Sequence, residues 1–129
     1  PNVVVFSLFP GIQESIIRHV LDAPELRSIV MRSYGSGNAP QQPWLNKLLY
    51  QAAHRGVVIV NISQCIAGSV EMSRYDTGYH LKKAGVISGI DSTVEAAVTK
   101  LMFLQGQYSD SNIIRNMMCR SIAGEITLA

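Results

Sequence analysis

Arg32-Ser33-Tyr34-Gly35-Ser36-Gly37-Asn38-Ala39-Pro40 gathers residue types suited to recognising a small polar ligand. An arginine guanidinium can hold both oxygens of a carboxylate through two parallel hydrogen bonds. Serine hydroxyls and an asparagine carboxamide can read an amide or an ammonium group. The apolar run Ile29-Val30-Met31 precedes this stretch and a strongly patterned helix follows it. A strand–loop–helix turn of this kind belongs at the carboxyl edge of a parallel sheet, where open α/β sheets bind ligands. The residues exclude a dinucleotide fingerprint. Gly35 and Gly37 supply G-x-G, but Pro40 stands at the third glycine position. Proline has no N–H and prevents the close helix–strand packing that the motif requires.

Asn61-Ile62-Ser63-Gln64-Cys65 is the second such stretch, where an apolar run turns abruptly polar. In a parallel sheet all strand C-termini lie on one edge. Phe9-Pro10-Gly11, Arg32 to Asn38, Asn61 to Cys65 and Ser88-Gly89 therefore share one rim. Arg32 is the carboxylate partner there. Ser33, Asn38, Asn61, Ser63 and Gln64 could hold an amide or ammonium group, giving a small polar pocket for something like an amino acid. The plainer alternative is that Arg32 pairs with a local acid and Asn38 only occupies a turn. The residues alone leave both open.

Covalent chemistry has little support. A nucleophilic Cys65 needs a base, and the pattern places His19, His54 and His80 on helices. None has an orienting acid at a recognisable spacing, so Cys65 reads as a structural or pocket-lining thiol. The histidines are not spaced as metal ligands, and neither a metal nor a cofactor is expected. Glu71 and Asp76 could be paired carboxylates, but neighbouring loop acids are common on surfaces. These residues do not amount to a self-contained active site.

The elements that must position the rim follow from periodicity. Val3 to Phe9 is a continuous apolar run, predicted to be a strand buried on both faces, and Pro10-Gly11 turns the chain. Ile12, Ile16, Ile17, Val20 and Leu21 line one helix face, and Pro24 stops that helix. Ser28 to Met31 is the second strand. Pro43 opens a helix carrying Trp44, Leu45, Leu48, Leu49, Ala52 and Ala53, with Gly56 beyond its end. Val57 to Ile62 is the third strand. A short helix from Tyr75 or Asp76 is closed by Gly85, and Val86-Ile87-Ser88 is the fourth strand. Ser92-x-x-Glu95 predicts a capping box for a helix bearing Val94, Ala97, Val98, Leu101 and Met102. Ser109 caps a last helix bearing Ile113, Ile114, Met117 and Met118. Trp44 and the two methionines read as core or interface. The expectation is a small three-layer α/β/α domain with a mainly four-stranded parallel sheet, right-handed crossovers and strand order 2-1-3-4.

Composition sets the bounds. The chain has 129 residues, 47% apolar and 16% charged, with a net charge of +2. That is one domain, residues 1–129, with a real core. The basic residues are too few and scattered to argue for nucleic acid, and the apolar runs are too short to span a bilayer. Pro1-Asn2 opens almost directly into a buried-type strand without a basic leader, so a fragment of a longer protein is expected. Cys65 and Cys119 lack C-x-x-C spacing, which fits a reducing compartment better than a disulfide scaffold.

Together the motifs resemble a known family. Phe9-Pro10-Gly11-Ile12, Arg32 to Pro40, Asn61 to Cys65, Tyr75-Asp76-Thr77-Gly78, Ala84 to Gly89 and Thr93 to Leu101 resemble, in order and spacing, the C-terminal domain of cytosolic, type I L-asparaginases. The resemblance implies hydrolysis of L-asparagine to L-aspartate and ammonia by the full-length protein. The family's catalytic threonines, with a supporting lysine and aspartate, belong to a larger N-terminal domain, and no stretch here matches them. The C-terminal domain then helps build a homodimer or homotetramer in the cytoplasm, and its glycine–asparagine loop approaches a neighbouring subunit's active site. Extracellular relatives carry a second asparagine two positions after the first. Here Ala39-Pro40 follows Asn38, as in the cytosolic type. Some type I members bind asparagine as an effector in this domain, which by resemblance would place Arg32 and Cys65 in the lining. The alternatives are the asparaginase-like subunit of a glutamine-dependent tRNA amidotransferase and a stand-alone amino-acid-binding module.

Overall fold

The computed structural model describes residues 2–8, 11–33, 43–63, 82–89 and 92–120. Four strands are present among them: β1 (Val3–Ser7), β2 (Ser28–Ser33), β3 (Val58–Ser63) and β4 (Ile87–Ser88). Every pairing is parallel, and the order is β1-β2-β3-β4. The α/β class holds, but the expected 2-1-3-4 order does not. In a sheet that advances one strand at a time in one direction, right-handed crossovers leave every linking helix on the same face. Helices α1 (Glu14–Leu21) and α2 (Pro43–His54) do share a face and pack on each other. The opposite face is covered by α3 (Val94–Gln107) and α4 (Ser111–Met118), which follow the last described strand.

Strand alternation sorts the core into two halves. Ile29, Met31 and Ile59 pack with Ile17 and Leu21 of α1 and with Leu45, Leu49 and Ala52 of α2. Val30, Val58, Val60 and Ile62 meet Ala97, Leu101, Leu104, Ile114 and Met118 of α3 and α4. Apart from exposed Arg32, the described side chains of the central strands β2 and β3 are buried on both faces, as continuous apolar runs require. β1 differs from expectation. It is an edge strand with partly buried residues and an exposed Val5, because strand order leaves it one neighbour.

The helix ends show local chemistry. Pro43 is the first residue of α2, where a missing N–H loses nothing. At its other end Gly56 has φ +96°. Gly56 N–H donates to Ala53 C=O at 3.0 Å and Val57 N–H to Ala52 C=O at 3.1 Å. This is a Schellman termination, which turns the chain directly into β3. Two predicted caps move by one residue. Thr93, not Ser92, caps α3 by accepting from Ala96 N–H at 3.1 Å, while Ser92 is buried. Asp110, not Ser109, caps α4 by accepting from Asn112 N–H at 2.9 Å. A carboxylate is the better partner for a positive helix end. The predicted helix before Gly85 falls largely outside the described residues, where only its end at Lys82 and Lys83 is seen.

Buried Lys100 ties the last two helices together. Its Nζ donates to Met118 C=O at 3.2 Å and also to Arg120 C=O, placing an ammonium at the negative end of α4.

Candidate functional site

Parallel pairing brings the polar strand ends to one edge. Ser7 is in register with Arg32, Arg32 with Ile62, Ser33 with Ser63, and Asn61 with Ser88. Backbone bonds stitch this edge together: Leu8 N–H to Arg32 C=O and Gly89 N–H to Asn61 C=O, both 2.8 Å. Gly89 has no room for a side chain. A Cβ there would lie 2.8 Å from Ile62 Cγ1 and 3.2 Å from Val60 Cγ1. The glycine lets the chain after β4 cross close against β3.

The pleat divides the predicted site residues. Ser33 and Asn61 are both fully buried and lie on the α1/α2 face, two residues beyond Met31 and Ile59 in their strands. Ser88, opposite Asn61, shares that face. Sequence reading puts Ser88 on the rim without counting it in the pocket; its position at a strand end was the available signal. Ser33 Oγ is buried without a hydrogen-bond partner among the described residues. Arg32 is exposed and belongs to the opposite face, with Val30 and Ile62. One small ligand reaches both Arg32 and the Ser33–Asn61–Ser88 group only by sitting across the strand ends. Asn38, Gln64 and Cys65 lie outside the described residues.

The described part of the rim offers hydroxyls, a carboxamide and a guanidinium. Groups of these types can bind and orient a polar ligand. His19 and His54 are exposed helix residues; His19 Nδ1 lies 2.7 Å from Ser15 C=O, and His54 stacks on Tyr50. Neither belongs to this edge. Among the described residues no group of His, Cys, Asp and Glu could hold a metal ion, and no helix is long and apolar enough to cross a membrane.

A family model described as the Glutaminase/Asparaginase C-terminal domain matches residues 2–118. The chain belongs to that family. This asparaginase-family domain is 44% identical over 123 residues to L-asparaginase 1 of Escherichia coli K12, covering 95% of the chain and 36% of that relative. It is 40% identical over 129 residues to the 60 kDa lysophospholipase of Mus musculus, covering 99% of the chain and 22% of that relative. The crystal structure of L-asparaginase I from Vibrio cholerae superposes with a TM-score of 0.92 at 41% identity, covering 99% of the chain and 39% of that structure. The asparaginase-family domain thus spans well under half the length of these relatives.

Proposed function

We propose that residues 1–129 form the C-terminal domain of a cytoplasmic L-asparaginase, and that this domain serves oligomerisation and effector binding. The full-length enzyme hydrolyses L-asparagine: water adds to the side-chain amide carbon, the C–N bond breaks, and aspartate and ammonia leave. The observation that carries this reading is the 44% identity to a protein named L-asparaginase 1 over 95% of the chain. The same domain also resembles a protein named for a lysophospholipase, so fold alone does not choose the reaction. The catalytic groups lie in the remainder of the enzyme, and no cofactor is needed.

The effector is L-asparagine. Arg32 takes its α-carboxylate; Ser33, Asn38, Asn61 and Gln64 read its amide and ammonium groups; Cys65 lines the pocket. The support is a polar edge of orienting groups with no nucleophile–base pair among the described residues.

The test is ammonia release by the full-length protein from L-asparagine, with L-glutamine as comparison. Asparagine should be hydrolysed with a sigmoidal rate curve. Arg32→Ala should turn the curve hyperbolic while the saturated rate persists. Residues 1–129 alone should bind asparagine without turnover. Turnover by that chain alone would overturn the assignment, and an unchanged sigmoid in Arg32→Ala would remove the effector site.

A further inference from the structure

β1 is a sheet edge without the usual defences. Edge strands of natural proteins carry charges, prolines or bulges that stop another strand from pairing with them. Val3-Val4-Val5-Phe6-Ser7 has none of the three, and it pairs with β2 in unbroken register from Val3 opposite Ser28 to Ser7 opposite Arg32. Its outer side has no neighbouring strand among the described residues.

The hydrogen bonds at its two ends fix which backbone groups face outward. Asn2 C=O accepts from Ser28 N–H at 3.2 Å, and Leu8 N–H donates to Arg32 C=O at 2.8 Å, so Asn2 and Leu8 turn toward β2. Backbone groups alternate sides along a strand. Val4 and Phe6 therefore also turn toward β2, while Val3, Val5 and Ser7 turn N–H and C=O outward. These three donors and three acceptors have no partner among the described residues.

The outward set is complementary to itself. Rotated about a two-fold axis at Val5, the strand meets its own copy antiparallel, with Val5 opposite Val5 and Val3 opposite Ser7. Antiparallel residues that face each other through such groups exchange both N–H···O bonds. Every outward donor then faces an acceptor. A shift of two residues either way pairs only two of the three β1 residues. The same register sets Val4 opposite Phe6 on the α1/α2 face, where both are partly buried. Aromatic and β-branched side chains are a favourable pair across strands. On the other face Val5, 41% exposed, meets its copy. Charge does not oppose the contact. Glu14 and Arg18 of α1 are paired with each other. Arg32, in register with Ser7, would lie four residues along and three strand spacings across from its copy, about 20 Å, beyond the screening length at physiological salt.

We propose that two copies of the protein pair through β1, joining their four-stranded sheets into one of eight strands. The partner is a second copy because an identical strand supplies the matching donors and acceptors, and closed two-fold pairing is the commonest association of soluble chains. The proposal rests on the oligomerising role given above and assigns it a surface and a symmetry.

The experiment is sedimentation equilibrium of the full-length protein and two variants. The unsubstituted protein should be a dimer or a higher even oligomer. Val5→Lys sets like charges face to face on the axis and leaves the β1–β2 bonds in place. It should weaken self-association about tenfold or more, with an unchanged far-UV circular dichroism spectrum. Val5→Cys is a smaller change and remains informative if the lysine variant misfolds. Hydrogen-bonded antiparallel partners have Cα atoms about 5.5 Å apart, within disulfide reach. Mild oxidation of Val5→Cys should double the chain mass on a non-reducing gel, to an extent that the unsubstituted protein with Cys65 and Cys119 does not match. A monomer at every concentration would remove both this interface and the oligomerising role. An oligomer unaffected by Val5→Lys, or one that Val5→Cys does not cross-link, would overturn the interface and leave the oligomerising role standing. So would β1 amides that stay protected from hydrogen exchange at dilutions where the protein is monomeric, since a strand of the same chain would then fill the edge.

Discussion

Ser92 and Thr93 are adjacent hydroxyl residues with different work. Ser92 is buried, whereas the Thr93 hydroxyl accepts from Ala96 N–H at the start of α3. Thr93→Ala should therefore cost about 1 kcal/mol in urea denaturation, and Thr93→Ser should retain most of it. A larger loss in Thr93→Ser than in Thr93→Ala would contradict the cap. The Ser-x-x-Glu pattern was legible, but a window of two hydroxyls does not say which one has the extended backbone of an N-cap. Arg32 and Ser33 pose the same kind of problem. Strand ends are visible where apolar runs stop, which is why both could be placed near the carboxyl edge. Their adjacency within a strand sends them to opposite faces, and that follows from the pleat once β2 is known to run through Ser33.

At the scale of elements, the helices were the most readable. The 3.6-residue rhythm of Leu45, Leu48, Leu49 and Ala52 is the buried stripe of α2, and Gly56 ends it as a left-handed residue. Strand order was not readable, because an apolar run records burial and not which neighbour buries it. β1 shows this: Val3-Val4-Val5 looks like a central strand and lies at an edge. Nor could the sequence reveal that Gly89 is pressed against β3. Gly89→Ala should push β4 away from Val60 and Ile62 and cost about 1–3 kcal/mol, the usual range for overpacking. Denaturation of that variant checks the point; wild-type stability would mean that β4 yields freely.

Across the whole molecule, α3 is apolar on more sides than the sheet can use. Leu104 is fully buried against β2 and β3, while its neighbour Phe103 is 56% exposed. Leu104→Ala should cost about 2–5 kcal/mol. Phe103→Ser should change stability by less than about 0.5 kcal/mol, as surface substitutions do. Comparable losses in the two variants would mean that Phe103 is covered. Composition foretold a core of this kind but not its division into two halves, which arises only when helices from different parts of the chain settle on opposite faces of one sheet. The strand order carries a consequence for ligand binding. Parallel sheets open a crevice where successive connections depart in opposite directions, at a topological switch point. The order β1-β2-β3-β4 never reverses among the described strands, yet α1 and α2 lie on one face while the chain after β4 leaves for the other, toward α3. Among the described strands that rule puts the crevice beside β4, where Ser88 is in register with Asn61.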